Sequence, residues 1–308
     1  MTVRFVLRVG QMVLVVLAVV TIAFFVMRLA PGDPARLVNP PGTPEQIITQ
    51  TRERLGTDRP LVIQYGTFLF DLVRGDMGTT FRGSLPVRDV VLTALPNTLA
   101  LAGLAVASAA ILALALGVLA ARRPNGVLDR AVLGYVALAQ ATPSFWLAVV
   151  LVFFFSLRLR WFPAIDMTGP RSFVLPVTTL VVLLSPVLVR TVRQSLIESQ
   201  GEDYIRAARA RGLGERRVFL VHGLKLASLP LVTLIGLQLG FLLAGAVVVE
   251  AIFNWPGIGK VILDALASRD FPLIQGGVLV AAIAFVVLNF VVDLLYSVLD
   301  PRVRVGAR

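Results

Sequence analysis

Residues able to make or break bonds are scarce in this 308-residue chain. It holds one histidine, His222, and no cysteine, so disulfides and thiolate metal sites are impossible. A lone imidazole supports neither a metal centre nor a serine–histidine pair. No Gly-x-x-x-x-Gly-Lys-Ser/Thr run occurs, so the loop that cradles nucleotide phosphates is missing. No catalytic residue, metal ligand or bound cofactor is therefore expected. The chemistry left is that of docking and of polar contacts inside an apolar environment.

The first candidate is Asp203-Tyr204-Ile205-Arg206-Ala207-Ala208-Arg209-Ala210-Arg211-Gly212. Ala has the best helix propensity and Arg is close behind, so the segment predicts a short helix. Gly212 supplies the left-handed residue that commonly ends one. An arginine-rich helix between two apolar runs belongs outside lipid, on the cytoplasmic face, either docked on a partner or serving only as a basic loop.

The second set is polar residues within apolar runs, which are costly in lipid and normally face protein or water. Asn97 and Thr98 open the second run. Gln140, Thr142 and Ser144 flank Pro143, which frees a backbone carbonyl and breaks the helix of the third, Gln238 lies in the fifth, and Asn289 and Asp293 share a face of the sixth at i,i+4. All are candidates to line a translocation path. Asp293, taken as the only buried carboxylate, could instead bond a neighbouring helix or pair with a cytoplasmic Arg. Gly236, Gly240 and Ala244 form a small-residue stripe that permits close helix approach. Glu250, Trp255 and Gly257 close the fifth run, as an interfacial tryptophan anchor with a turn or as part of an outer mouth.

The elements that must position these residues are transmembrane helices. The chain is 57% hydrophobic and 15% charged, with a mean hydropathy of +0.84, which excludes an ordinary soluble domain. Crossing a ~30 Å hydrocarbon core takes about 20 residues. Six runs qualify: 9–27, 95–121, 131–157, 173–192, 229–252 and 276–299. The first is too long for a signal peptide and lacks a small-x-small cleavage site. The net charge of +11 is topological: residues 1–8, 122–130, 190–228 and 300–308 hold sixteen Lys/Arg against six Asp/Glu. The positive-inside rule puts both termini in the cytoplasm. No aromatic-interleaved basic platform appears, so no nucleic acid partner is expected.

The chain thus divides into an N-terminal transmembrane helix (1–30), an extracytoplasmic helical segment (31–93), a transmembrane core (94–299) with a cytoplasmic loop (193–228), and a cytoplasmic tail (300–308). In the outer segment Thr43 reads as an N-cap, Pro44 as the first helical residue and Gln46 as its capping-box partner. Ile47, Ile48, Thr51 and Leu55 share one face of that helix, which Gly56 ends. A second helix is predicted over Pro60–Arg74, presenting Ile63, Phe68, Phe70 and Leu72.

Arg206-Ala207-Ala208 with Gly212 resembles the Glu-Ala-Ala-x-x-x-Gly coupling loop of ATP-driven importer permeases, with Arg206 where the Glu would stand. Asp203-Tyr204-Ile205-Arg206 with Ala208-Arg209 is similar to the peptide/nickel branch. Collinear with it run Arg28-Leu29-Ala30-Pro31-Gly32-Asp33-Pro34, Arg74-Gly75-Asp76-Met77-Gly78, Pro143-Ser144-Phe145-Trp146-Leu147, Trp255-Pro256-Gly257 and Asp300-Pro301-Arg302. The resemblance covers essentially the whole chain. It implies an all-α, six-span type-I importer permease of the bacterial plasma membrane, forming half of a path for di- or oligopeptides. Nickel, glutathione or a haem-like molecule are the alternative cargoes. Implied partners are a second homologous permease, two ATPase domains on one chain or two that carry ATP and Mg, an extracytoplasmic substrate-binding protein and the lipid bilayer. Asp203, Tyr204, Ala207, Ala208, Arg209 and Gly212 would couple to the ATPase. A secondary transporter, the rival class, would need a coupling-ion site near the midplane.

Overall fold

The structure is a computed structural model and describes residues 2–29, 33–81, 83–163 and 169–299. It is helical throughout, with one isolated bridge, Thr79 to Pro86, among the described residues. In order come α1 (Thr2–Leu29), α2 (Pro34–Val38), α3 (Glu45–Leu55), α4 (Leu61–Val73) and α5 (Val87–Ala121). Next are α6 (Val127–Ala141), α7 (Ser144–Leu151), α8 (Val174–Ser199), α9 (Asp203–Ala210) and the single turn α10 (Glu215–Arg217). The last are α11 (Leu224–Ile252), α12 (Ile258–Ser268) and α13 (Phe271–Leu299).

Among the described residues four stretches are long and apolar enough to cross a membrane: Gly10–Leu29, Val87–Ala121, Pro170–Ser199 and Phe271–Val292. The third predicted span, 131–157, is not one helix. It breaks between α6 and α7 with a 100° bend, because the residue before a proline is pushed out of the helical region. Thr142 accordingly sits at φ −89°, ψ 119°. Counted as one span, the bent pair makes five. The fifth predicted span is occupied by α11, which holds an apolar stretch at Pro230–Gly240, so six is an approximate count.

The chain forms two compact units. The first comprises Met1–Thr98 and Pro256–Val286. In it α1 packs on α4 through Phe24, fully buried, whose ring lies 5.3 Å from both Tyr65 and Phe68. The Thr21 and Tyr65 hydroxyls are 2.6 Å apart, and Arg28 Nε donates to Gln64 Oε1 at 2.8 Å. Only 11% of the most apolar 18-residue window of Gly10–Leu29 is buried, and Leu14, Ile22 and Leu29 are each more than 60% exposed. Such a continuous apolar surface requires lipid.

The outer helices form close to prediction, with one correction. Pro44, not Thr43, is the N-cap of α3, and no side chain caps it. The Thr43 hydroxyl donates to the Pro40 carbonyl instead, at 2.7 Å, so no capping box forms. Ile48 and Thr51 face inward as expected, whereas Ile47 is 45% exposed. Gly56 does end the helix, at φ +65°. Arg52 clamps α3 to the start of α2 through Asp33, with Nη2 at 2.6 Å. Burial pushes the Asp33 carboxyl up, but the hydrogen bonds from Arg52 and the Ala35 N–H outweigh it and hold the group below the usual carboxylate range.

Residues 256–286, expected within the core 94–299, pack with this N-terminal material. Gly276 lets α13 approach Val87 so closely that a Cβ there would lie 2.3 Å from the Val87 side chain. Asp270 begins α13 and accepts hydrogen bonds from the Phe81 and Leu273 N–H groups.

The second unit comprises Leu99–Trp255 and Val287–Arg308. Its core is built on α8, where Leu180, Leu184, Leu188, Val189, Val192 and Leu196 are at most 1% exposed. In the most apolar 18-residue window of Pro170–Ser199, 56% is buried, far more than in α1. Helices α11, α6 and α7 pack around it. Gly117 brings α5 against Val192, where any Cβ would come within 2.6 Å. Gly236 does the same for α11 and α13, facing Val292 at 2.2 Å. At Gly236 the small-residue stripe therefore serves packing within the chain. Ala244's side chain lies outside the described set.

Candidate functional site

Helix α9 forms where predicted and is two residues shorter than the segment suggested. Its apolar positions are three apart, Ile205 and Ala208, and both are buried, against Val218 and Leu213. Asp203 sits in the first turn and Arg209 in the last, which complements the helix dipole. The exit is a Schellman turn. Gly212 adopts φ +78°, its N–H bonds the Arg209 carbonyl, and the Leu213 N–H bonds the Ala208 carbonyl. Leu213 then packs back on Ala208, closing the motif.

The opposite face is exposed. Asp203 is fully in solvent and Arg206 largely so, paired loosely at 3.5 Å, while Tyr204 is 41% exposed and Ala207 is exposed too. Burial pushes the Tyr204 hydroxyl up. The two alanines therefore differ: Ala207 points out, and Ala208 seats the helix on its own chain. Arg209 is a clamp on its own chain. It bonds both oxygens of Glu215, at 2.8 and 3.3 Å, and reaches Gln200 Oε1.

A further device went unread in the sequence. Asp129 at the start of α6 is 1% exposed and accepts a bidentate bond from Arg193 on α8, at 2.6 and 2.7 Å. The Asn125 N–H supplies a third bond at 2.8 Å. The pair locks the 122–130 loop to the end of α8, the helix that leads into α9. Bidentate geometry with a third donor is what makes a buried carboxylate tolerable. Its signal in the sequence was thin: Arg193 read as one basic residue among many.

The polar residues of the apolar runs scatter. In the first unit, Thr98 Oγ1 accepts from the Ile258 N–H at 2.8 Å and Asn97 Nδ2 donates to the Pro256 carbonyl at 2.9 Å, so both hold the turn into α12. In the second unit Gln140 is exposed, with Thr142 and Ser144 half-buried beside the bend. The Thr142 hydroxyl donates to the Leu138 carbonyl at 2.7 Å. Gln238 Nε2 reaches the Leu184 carbonyl at 3.4 Å, and Asn289 is half-buried. The side chain of Asp293 lies outside the described set, as does that of His222. Asp293 is not the only candidate buried carboxylate, since Asp129, Glu250 and Asp270 are each at most 3% exposed.

Glu250 and Trp255 are fully packed. The Trp255 N–H bonds the Glu250 carbonyl at 2.7 Å, and its ring meets Phe173 edge-on at 4.5 Å. At 3% exposure Trp255 is a core residue and not an interfacial anchor. Gly257, also buried, caps the start of α12. Among the described residues no group of three or more His, Cys, Asp or Glu could hold a metal ion.

Residues 113–305 match the family described as binding-protein-dependent transport system inner membrane component. Residues 1–102 match the N-terminal region of such membrane components. The chain is 37% identical over 288 residues to the glutathione transport system permease protein GsiC of Salmonella choleraesuis strain SC-B67, covering 94% of each. To the protein of the same name in Escherichia coli K12 it is 37% identical over 283 residues, 92% of each. Among solved structures it is similar to the inward-facing MetNI methionine ABC transporter, with TM-scores of 0.55 and 0.57 in two crystal forms, at 20% identity over 68% of this chain and 96% of that one. That likeness carries the type-I importer fold. With nearly the full length matched in sequence, the chain belongs to the inner membrane components of binding-protein-dependent transport systems and is a membrane permease of an ABC importer.

Proposed function

We propose that this chain is one of two permease halves enclosing a path for small peptides, with glutathione the first cargo to test. The observation that carries the cargo is the 37% identity over 94% of both chains to permeases of glutathione transport systems; glutathione is itself a small peptide. Nothing in the site chemistry favours nickel or a haem-like molecule. ATP hydrolysis is assigned to separate ATPase domains, substrate delivery to an extracytoplasmic binding protein, and both chain termini to the cytoplasm.

In this reading α9 is the coupling helix. Asp203, Tyr204 and Ala207 form the docking face, while Ala208, Arg209 and Gly212 hold that face in a fixed orientation. Closure of the ATPase pair would push α9, and the Asp129–Arg193 lock would carry the displacement into α8 and α6 as a rigid-body tilt. Gln140, Thr142, Ser144, Gln238, Asn289 and Asp293 remain the residues assigned to the path; Glu250 and Gly257 would support the outer mouth from within. The test is uptake by the complete complex in proteoliposomes, with labelled glutathione and dialanine as competing cargoes. ATP- and binding-protein-dependent glutathione uptake, weakly competed by dialanine, is expected. Uptake that follows an ion gradient without ATP would instead favour a secondary transporter.

A further inference from the structure

The first unit contains a cleft of ≈ 210 Å³ lined from α1, the α3–α4 turn, α4, the 76–78 turn and α13. One wall carries Gln275, 8% exposed, whose side-chain Nε2 is buried without a hydrogen-bond partner, alone in this among the described residues. Burying an amide donor unpaired costs its full desolvation. A ligand oxygen would remove that cost.

Charges of both signs face the same space. Arg28 lines it with its Nε given to Gln64 Oε1, and Gln64 Nε2 donates to the Thr57 and Arg59 carbonyls. Arg59 and Asp71 also line the cleft, and their side chains make no hydrogen bond or ion pair among the described residues. Asp76 accepts from the Gly78 N–H through one oxygen, leaving the other available. Phe68 and Met77 add an apolar wall. The volume is below the ~300–1,000 Å³ of sites for drug-sized ligands, so the occupant is small. A ligand of one charge would leave the opposite side chain unanswered.

We propose that this cleft binds a small zwitterion, an α-amino acid or dipeptide, with its carboxylate toward Arg59 and Gln275 Nε2 and its ammonium toward Asp71 and Asp76. The chemistry stands independently of the import function; only its facing the outside rests on the orientation proposed above.

The test uses the complete transporter complex in nanodiscs, without binding protein or ATP, so failure of the import reading would not affect it. Radiolabelled dialanine should bind saturably, and free alanine should compete while N-acetyl-alanine amide, which lacks both charges, should not. Arg59→Ala and Asp71→Asn, both at the accessible rim, should each weaken binding about tenfold or more. Gln275→Leu should raise the melting temperature of the unliganded complex and lower dialanine affinity together, a combination a purely structural glutamine would not give. The proposal is overturned if dialanine shows no saturable binding at millimolar concentrations, or if Arg59→Ala and Asp71→Asn bind it as the parent does. Equal competition by N-acetyl-alanine amide, or a Gln275→Leu complex unchanged in both readouts, overturns it as well.

Discussion

Asp129 stays buried because three hydrogen bonds meet its two oxygens, two of them from Arg193. Arg193→Met would strand the carboxylate, an arrangement that typically costs about 3–5 kcal/mol. The melting temperature in detergent is expected to fall sharply, and Arg193→Met combined with Asp129→Leu to recover most of it. A single variant no less stable than the parent would remove the lock from the account. The Asp33 carboxyl lies below its ordinary range in the folded chain, so its clamp to Arg52 contributes stability above the unfolded pKa of ~3.9 and loses it as pH falls through the folded value. Hydrogen-exchange protection factors in α2 and α3, corrected for the intrinsic pH dependence of amide exchange, should therefore fall on acidification below about pH 4, and Arg52→Gln should already show low protection at neutral pH. Protection factors independent of pH in the parent would contradict the clamp. Legibility at this scale followed locality. Gly212 was readable because its backbone conformation depends on neighbouring residues, whereas the Arg193 partnership joins positions 64 apart. The bonds of Arg209 to Glu215 and Gln200 were hidden for the same reason, being set by how the loop folds back.

Helices were legible where periodicity and breakers agreed, and less so where a choice of cap decided the start. The propensities in α9 predicted its position, and Pro143 marked a break, but a proline in a sequence does not state an angle, and 100° follows from how α6 and α7 each pack on α8. At the start of α3, Pro44 occupied the cap and Thr43 found a nearer acceptor, Pro40. The contact between α11 and α13 at Gly236 gives a direct test of packing. A methyl there meets the β-branched Val292 at 2.2 Å, so Gly236→Ala should destabilise by about 1–3 kcal/mol, the usual cost of overpacking. Gly103→Ala, with nothing within 4 Å of its Cβ, should be neutral or mildly stabilising. Equal melting temperatures for the two variants would show that α13 does not pack on α11 as described.

At the scale of the molecule, hydropathy and charge made the membrane class readable and left the grouping of segments hidden. Residues 256–286 join the N-terminal segment through Gly276 against Val87 and through Asp270 against the Phe81 N–H, contacts between positions nearly 190 apart that no local pattern encodes. The expected orientation is testable because the chain has no cysteine. Thr67→Cys and Gly214→Cys, both at exposed positions, separate the two sides: an impermeant thiol reagent on intact cells should label the first and spare the second, and labelling of Gly214→Cys from outside would invert the topology. The central claim, that α9 couples this permease to an ATPase, is tested most directly at Ala207. That residue is exposed while Ala208 is seated on the chain's own core, so Ala207→Trp should leave the melting temperature and membrane insertion unchanged. In the reconstituted complex it is expected to abolish uptake and ATPase co-purification together, and parental uptake by Ala207→Trp would contradict the account.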